Sequence, residues 1–241
     1  MTKALVISDS HLRPGYECYE LWAALGHYCV EHKPEFIIHL GDAVDLQSQQ
    51  WLKKDRGTST LAEEIECLRL HLSAFHGIIN DYNAQQRHTK HKQYRPELIF
   101  CAGNHDVRND ITDVIDVFDA FGWLTYDYLE PADIGKWTFC HAMRKGLSDQ
   151  MCTTAQELVE NWHSNIVVGH GHHKDFFESY SMATAEPIIG MRCPVFTPYH
   201  TGDWCMQTRN KWSRGFTEID LDTREFVWRD LRCLLKNSLA I

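Results

Sequence analysis

Five stretches of this chain place side chains that bind metal ions or move protons directly after a short apolar run. "KALVISDSHL" carries Asp9 and His11, "EFIIHLGDAVD" carries Asp42 and Asp45, and "ELIFCAGNHD" carries Asn104, His105 and Asp106. "KWTFCHAM" carries His141, and "NIVVGHGHHKD" carries His170, His172 and His173. Each has a plain explanation when taken alone. Asp9 could form a side-chain turn with its own backbone, "GD" and "GN" are ordinary turn pairs, and a histidine tract can be a solvated stretch or a metal scavenger. Their shared position is what counts: each group follows what reads as a buried strand. Such a repeat points to one site built from several strand ends. Its mixed nitrogen and oxygen donors suit borderline divalent metals such as manganese, iron, zinc or cobalt better than calcium or magnesium.

The elements that must hold these residues follow from periodicity. Runs of apolar residues rich in Val, Ile and Phe predict strands buried on both faces. Helical patterns lie between them, over about residues 17–32, over "STLAEEIECLRLHLSAFHGIINDYN" and over "TTAQELVENWH", the last with a threonine start suited to capping. Alternating strands and helices predict an α/β fold in which ligands gather beyond the carboxyl ends of the strands. After the last histidines the chain makes an aromatic-rich, irregular excursion over about 176–212, with Tyr199, His200 and Trp204 as residues that could shape a pocket. "SRGFTEIDLDTREFVWRDL" then reads as a hairpin turning at "DLDTRE".

The 241 residues contain no Gly/Ser or Pro-rich linker and no repeat, so one domain over 1–241 is expected. The apolar run before Ser8 is too short for a signal peptide, and no stretch reaches membrane-spanning length. The nine cysteines form no CxxC, and several lie in apolar runs, as expected of free thiols in a cytoplasmic protein. A net charge of -9 argues against a broadly basic nucleic-acid surface.

In order, "DSH", "GDAVD", "GNHD", His141 and "GHGH" resemble the signature blocks of the calcineurin-like metallophosphoesterases, over residues 9 to 172. The resemblance implies two mixed β-sheets sandwiched between helices, with a site for two divalent metal ions at the sheet edge. Manganese is the first choice of ion, with iron, zinc, cobalt or nickel as alternatives. Matched motif by motif, Asp9, His11, Asp42 and His172 would hold one ion. Asn104, His141 and His170 would hold the other together with Asp42, which bridges. Such a pair lowers the pKa of a shared water and clamps phosphate oxygens. The resemblance makes His105 a catalytic residue beside the phosphate, its imidazolium protonating or stabilising the leaving oxygen. Asp106 is expected to hold the His105 ring, and Asp45 to support a ligand. Glycines 41, 103, 169 and 171 are expected to turn the backbone and leave room for the ions, with Gly171 making the turn between two ligands. His173 reads as a structural rim residue.

Leu46 stands where related protein phosphatases carry arginine, and "GNHD" replaces their "GNHE". With the acidic balance, this favours a phosphodiester, a nucleotide or a short single-stranded nucleic acid over a phosphoprotein or long duplex, and favours the diesterase and nuclease branches. A phosphomonoesterase is the alternative. A non-catalytic scaffold on the same fold is a weaker one, because the ligand set and His105 are all retained. Arg13, Arg108 and Arg144 follow ligand blocks closely and are candidates for phosphate contacts.

Overall fold

The computed structural model describes residues 1–49, 58–87, 92–181, 185–198 and 212–238. Tyr199, His200 and Trp204 lie outside these residues. Among the described residues the strands form two sheets, one of six strands and one of five.

The first sheet grows from β1 (Lys3–Ile7), β2 (Phe36–His39), β3 (Glu97–Cys101) and β4 (Leu124–Tyr126), all parallel in that order. Strand β10 (Gly215–Asp220) adds antiparallel to β1, and β11 (Phe226–Asp230) pairs with β10 as the expected hairpin. The second sheet runs β5 (Ala132–Ile134), β6 (Trp137–Cys140), β7 (Asn165–Val168), β9 (Pro187–Arg192) and β8 (Asp175–Tyr180). Strands β6, β7 and β9 are parallel, and β5 and β8 are antiparallel edges. Both sheets are therefore mixed. The excursion expected to be irregular contains β8 and β9, which extend the second sheet. "DFFESY" exposes and half-buries alternate side chains, the pattern of an edge strand with only one face covered.

Alternation along each strand explains why the runs look continuously apolar. Leu5 and Ile7 face a helical layer of α1 (Tyr19–His32), α2 (Leu61–Gln86) and α3 (Asp113–Ala120), while Ala4 and Val6 face the second sheet. On β7, Val167 meets the first sheet, whereas Ile166 and Val168 pack under α4 (Ala155–Trp162) with Leu158. Both faces of these inner strands are dry, so they present no polar alternation. The layers run helix, sheet, sheet, helix, and α5 (Arg232–Ser238) packs beside α1.

Helix starts follow the sequence closely. Thr60 accepts from the Glu63 backbone N–H at 3.3 Å while the Glu63 carboxylate accepts from the Thr60 N–H at 2.7 Å, a reciprocal capping box. Thr154 caps α4 by accepting from Glu157 N–H at 3.2 Å. None of the helices described is long and apolar enough to cross a membrane.

Phe139 is fully buried in the layer between the sheets. Phe139→Ala should cost about 3–5 kcal/mol of stability through lost burial and a residual cavity, measured by equilibrium denaturation. A cost near that of a surface substitution would contradict the two-sheet core.

Candidate metal centre

The parallel strands of both sheets deliver their carboxyl ends to one rim. Asp9 and His11 follow β1, Asp42 and Asp45 follow β2, and Asn104 to Asp106 follow β3. His141 follows β6, while His170 and His172 follow β7. Asp9, His11, Asp42 and His172 each place one ligating atom within 4.8 Å of the others, and all four are buried. Asp42, His141 and His170 form a second such group, so Asp42 belongs to both. Asn104 joins this second group, its Oδ1 lying 3.1 Å from His141 Nε2.

The hydrogen bonds behind these side chains say which atoms are available. His11 Nδ1 lies 3.0 Å from Asp45 Oδ1 and donates to it, which leaves Nε2 pointing at His172 Nε2, 3.1 Å away. His141 Nδ1 donates to the Leu40 carbonyl at 2.6 Å. Its Nε2 then faces Asn104 Oδ1, His170 Nδ1 at 3.1 Å and Asp42 Oδ2 at 3.4 Å. In each group lone pairs converge, and a neutral imidazole has no second proton to place among them. A divalent cation fits such a set, with Asp45 and the Leu40 carbonyl orienting the rings from behind.

Electrostatics agree. Burial alone would raise the pKa of Asp42, but His141, His105 and His11 more than offset it, and the carboxyl falls well below its ordinary range. Asp9 is likewise lowered, burial being outweighed by its hydrogen bond to His172 and by the neighbouring imidazoles. Burial pushes the His11 and His141 values down, yet Asp45 beside one and Asp42 beside the other drive both up to about 9. His170 falls to about 4 through burial and the charge on His141. Without ions, then, the buried carboxylates draw protons onto one imidazole in each group. A metal must displace those protons.

Backbone conformation at the rim is unusual. Asp9, His11, Asp42, His170 and His172 all take positive φ, between 44° and 61°. Each departure costs of order 1–3 kcal/mol and persists where the surroundings over-determine it. This corrects the expectation for Gly171, whose φ is not positive; the left-handed residues are the histidines on either side. Gly171 is small for another reason: a Cβ there would overlap the buried Arg192 guanidinium. Gly103 does meet the expectation, since a Cβ on it would collide with the backbone and carboxylate of Asp42.

Asp106 also needs correction. It does not hold the His105 ring. Its Oδ2 accepts from Gly103 N–H at 2.8 Å, and its Oδ1 accepts from Ala43 and Val44 N–H at 2.9 and 3.3 Å. Fully buried, it clamps the loop after β2 to the loop after β3. The His105 ring contacts Asp45 and Arg108 instead. Asp45 supports His11 as expected, and His173 is structural, bridging the Gly171 carbonyl and Arg192.

Sequence reasoning passed over several supports. His39 accepts from Gly41 N–H at 3.1 Å and reaches Ser10 Oγ at 3.0 Å, and Ser10 donates on to the Ala43 carbonyl. Burial holds this ring neutral, its value down to about 3. A lone histidine in the apolar run "FIIHL" was the available signal. Glu64, on α2, accepts from Gln47 N–H at 2.6 Å and so anchors the turn beyond Asp45. Trp212 stands edge-on to His172, ring centres 4.5 Å apart, and 6.4 Å from His11. No sequence pattern marked it.

Metal titrations should release about one proton per ion. Because His11 and His141 must lose protons, affinity should rise with pH, by about tenfold per unit for each proton released, between about pH 6.5 and about pH 8.5. Calorimetry in buffers of different ionisation enthalpy measures both effects. Affinity independent of pH would show that the imidazoles are not the seats.

The chain matches the family model described as calcineurin-like phosphoesterase over residues 2–214. Solved structures of similar outline include the nuclease MPE of Pseudomonas putida, with 16% identity, TM-score 0.43, and coverage of 83% of this chain and 77% of that one. TT1561 of Thermus thermophilus shows 8% identity and TM-score 0.48, covering 96% of this chain and 99% of the other. Yfce, a phosphoesterase from E. coli, shows 10% identity and TM-score 0.40, covering 95% and 99%. No curated protein matches in sequence. Identities and scores this low leave the family match as the deciding finding: with its two mixed sheets and buried ligand clusters, this chain belongs to the calcineurin-like phosphoesterases.

Proposed function

We propose that the protein hydrolyses phosphate esters with two divalent ions, preferring a phosphodiester, a nucleotide or a short single strand of nucleic acid. The observation that carries this reading is the pair of ligand groups sharing Asp42. Asp9, His11, Asp42 and His172 hold one ion; Asp42, Asn104, His141 and His170 hold the other. Manganese is the first candidate, with iron, zinc, cobalt or nickel behind it. When bound, such a pair makes water a better nucleophile at neutral pH and draws charge from the phosphate. The chain does the rest. Asp45 and the Leu40 carbonyl fix the His11 and His141 rings, so the donors need little rearrangement. His105 donates its backbone N–H to Asp42 at 2.8 Å and clusters with His11 and Asp45, outside the two groups that share Asp42, which suits a residue that acts on the phosphate.

Two observations support a diester. Leu46 is fully buried in the helical layer, so the loop after β2 offers no cation at that position. The net charge of -9 also disfavours highly charged ligands at long range. Arg108, half-buried against His105, favours the monoester alternative because it restores one guanidinium to the site. The cytoplasm is the proposed compartment; it suits the thiols of Cys29, Cys101 and Cys140, which lie in apolar layers.

Manganese-loaded protein should contain two ions per chain and cleave bis-p-nitrophenyl phosphate with a higher kcat/KM than p-nitrophenyl phosphate. A clear preference for the monoester would make it a phosphatase. Inactivity on both, with two ions bound, would revive the scaffold. His170→Ala should lower metal content and turnover together, whereas His105→Ala should leave metal content near normal while turnover falls about 10²–10⁴-fold. Equal metal loss in the two variants would place His105 among the ligands.

A further inference from the structure

Tyr128 places a hydroxyl at the rim that no other described group uses. It follows β4 by two residues, and β4 runs parallel to β3, so its carboxyl end reaches the same rim as Asn104. The ring is half-buried and lies 6.2 Å from the His141 ring, centre to centre, on the side of the Asp42, His141 and His170 group. Serine hydroxyls nearby are committed: Ser8 donates to Asp9, and Ser10 to the Ala43 carbonyl. Among the described residues Tyr128 Oη makes no hydrogen bond within 3.5 Å, yet it is not sealed from solvent.

The turn that carries Tyr128 is closed from both ends. Glu130 N–H donates to the Asp127 carbonyl at 2.9 Å, and the Glu130 carboxylate accepts from Asp127 N–H at 3.0 Å. Leu129, the third residue of this turn, takes φ 68°, where a type II turn ordinarily carries glycine. A left-handed leucine is unfavourable and persists only where its surroundings hold it. Pro131 follows and restricts Glu130 in turn. Tyr128 is therefore carried at the corner of a turn with little freedom, its ring set against His141.

A phenol at neutral pH is an O–H donor and a poor base. The charges of Asp42 and Arg144 both reach this hydroxyl; burial and Asp42 raise its pKa, and Arg144 opposes them. Arg144 is exposed, 3.7 Å from Asp149, and adds positive charge on the same side. An anion drawn to ions between the two ligand groups would lie beside an unused donor.

We propose that Tyr128 is a substrate-contacting residue, its hydroxyl donating to a phosphoryl oxygen of the ester on the His141 and His170 side of the site. This rests on the reading of the protein as a phosphoesterase and adds a donor that none of the five signature blocks contains.

Tyr128→Phe keeps the ring against His141 and removes only the hydroxyl. Manganese-loaded wild type, Tyr128→Phe and Tyr128→Ala are compared by elemental analysis, thermal melting, calorimetric titration with inorganic phosphate, and kcat/KM on bis-p-nitrophenyl phosphate. Tyr128→Phe should keep the wild-type metal content and melting temperature, while phosphate affinity and kcat/KM each fall about tenfold. Tyr128→Ala should bind phosphate within about threefold of Tyr128→Phe, because the hydroxyl makes the contact. A Tyr128→Phe protein equal to wild type in both affinity and kcat/KM overturns the proposal and leaves the ring as packing for His141. Loss of ions from Tyr128→Phe overturns it too, since the hydroxyl would then support the metal centre. Wild-type protein that binds phosphate about tenfold more tightly than Tyr128→Phe, yet cleaves neither nitrophenyl ester, keeps the contact and rejects the phosphoesterase reading. An ester cleaved equally well by both, with equal phosphate binding, does the reverse.

Discussion

One hydrogen bond ties the two halves of the site together. His141 belongs to the second sheet, yet its Nδ1 donates to the carbonyl of Leu40, at the end of a strand in the first. The bond is short, buried, and made by the ring that turns its other nitrogen on Asp42, Asn104 and His170. It therefore aligns the sheets and aims a ligand in the same stroke. Two more contacts cross the gap in the same place: Phe196 N–H donates to the Ser8 carbonyl at 2.7 Å, and His170 N–H donates to both Asp9 oxygens. Slip between the sheets would break all three together. The apolar layer between them supplies the force, and these bonds supply the register.

The rim resists its own composition. Asp9, Asp42, Asp45 and Asp106 are all fully or almost fully buried within a few residues of one another's loops. Burial and mutual repulsion raise the Asp106 value to about 7, although three backbone N–H groups face it. Left-handed conformations at the ligands add to the cost. What offsets these costs is local and specific: His39 and Ser10 brace the loop after β2, Asp106 staples it to the next loop, and Glu64 anchors its far end. Strain of this kind fits a site whose main stabilising partner is a cation.

The residues that cluster at the rim could be picked out in the chain because each adjoins its strand in sequence, and apolar runs of this length announce themselves. The helices at 19–32 and 61–86 were legible for a similar reason, since their period is local. Other features depend on partners far along the chain. "ADI" is a strand only because "WTF" lies beside it, and β8 and β9 needed each other before either could be recognised. Asp106 and His105 are adjacent, which made a contact between them easy to expect; the backbone turns the two side chains toward different loops. Gly171 looked like a turn residue because Arg192, which forbids its enlargement, lies on a distant strand. Sequence shows which groups are present, and tertiary packing decides which way they face.

The sharing of ligands between sheets has a consequence for how the molecule holds together. Asp9, His11 and Asp42 lie on one sheet and His141, His170 and His172 on the other, so ions coordinated by both can bind only when the sheets are docked. By mass action, an ion at about a hundred times its dissociation constant would add about 2.7 kcal/mol to that docked state. Cations bound there would thus be fasteners as well as reagents. Depleting them should loosen the seam between the sheets first, and resistance to unfolding becomes a function of the free metal concentration around the protein.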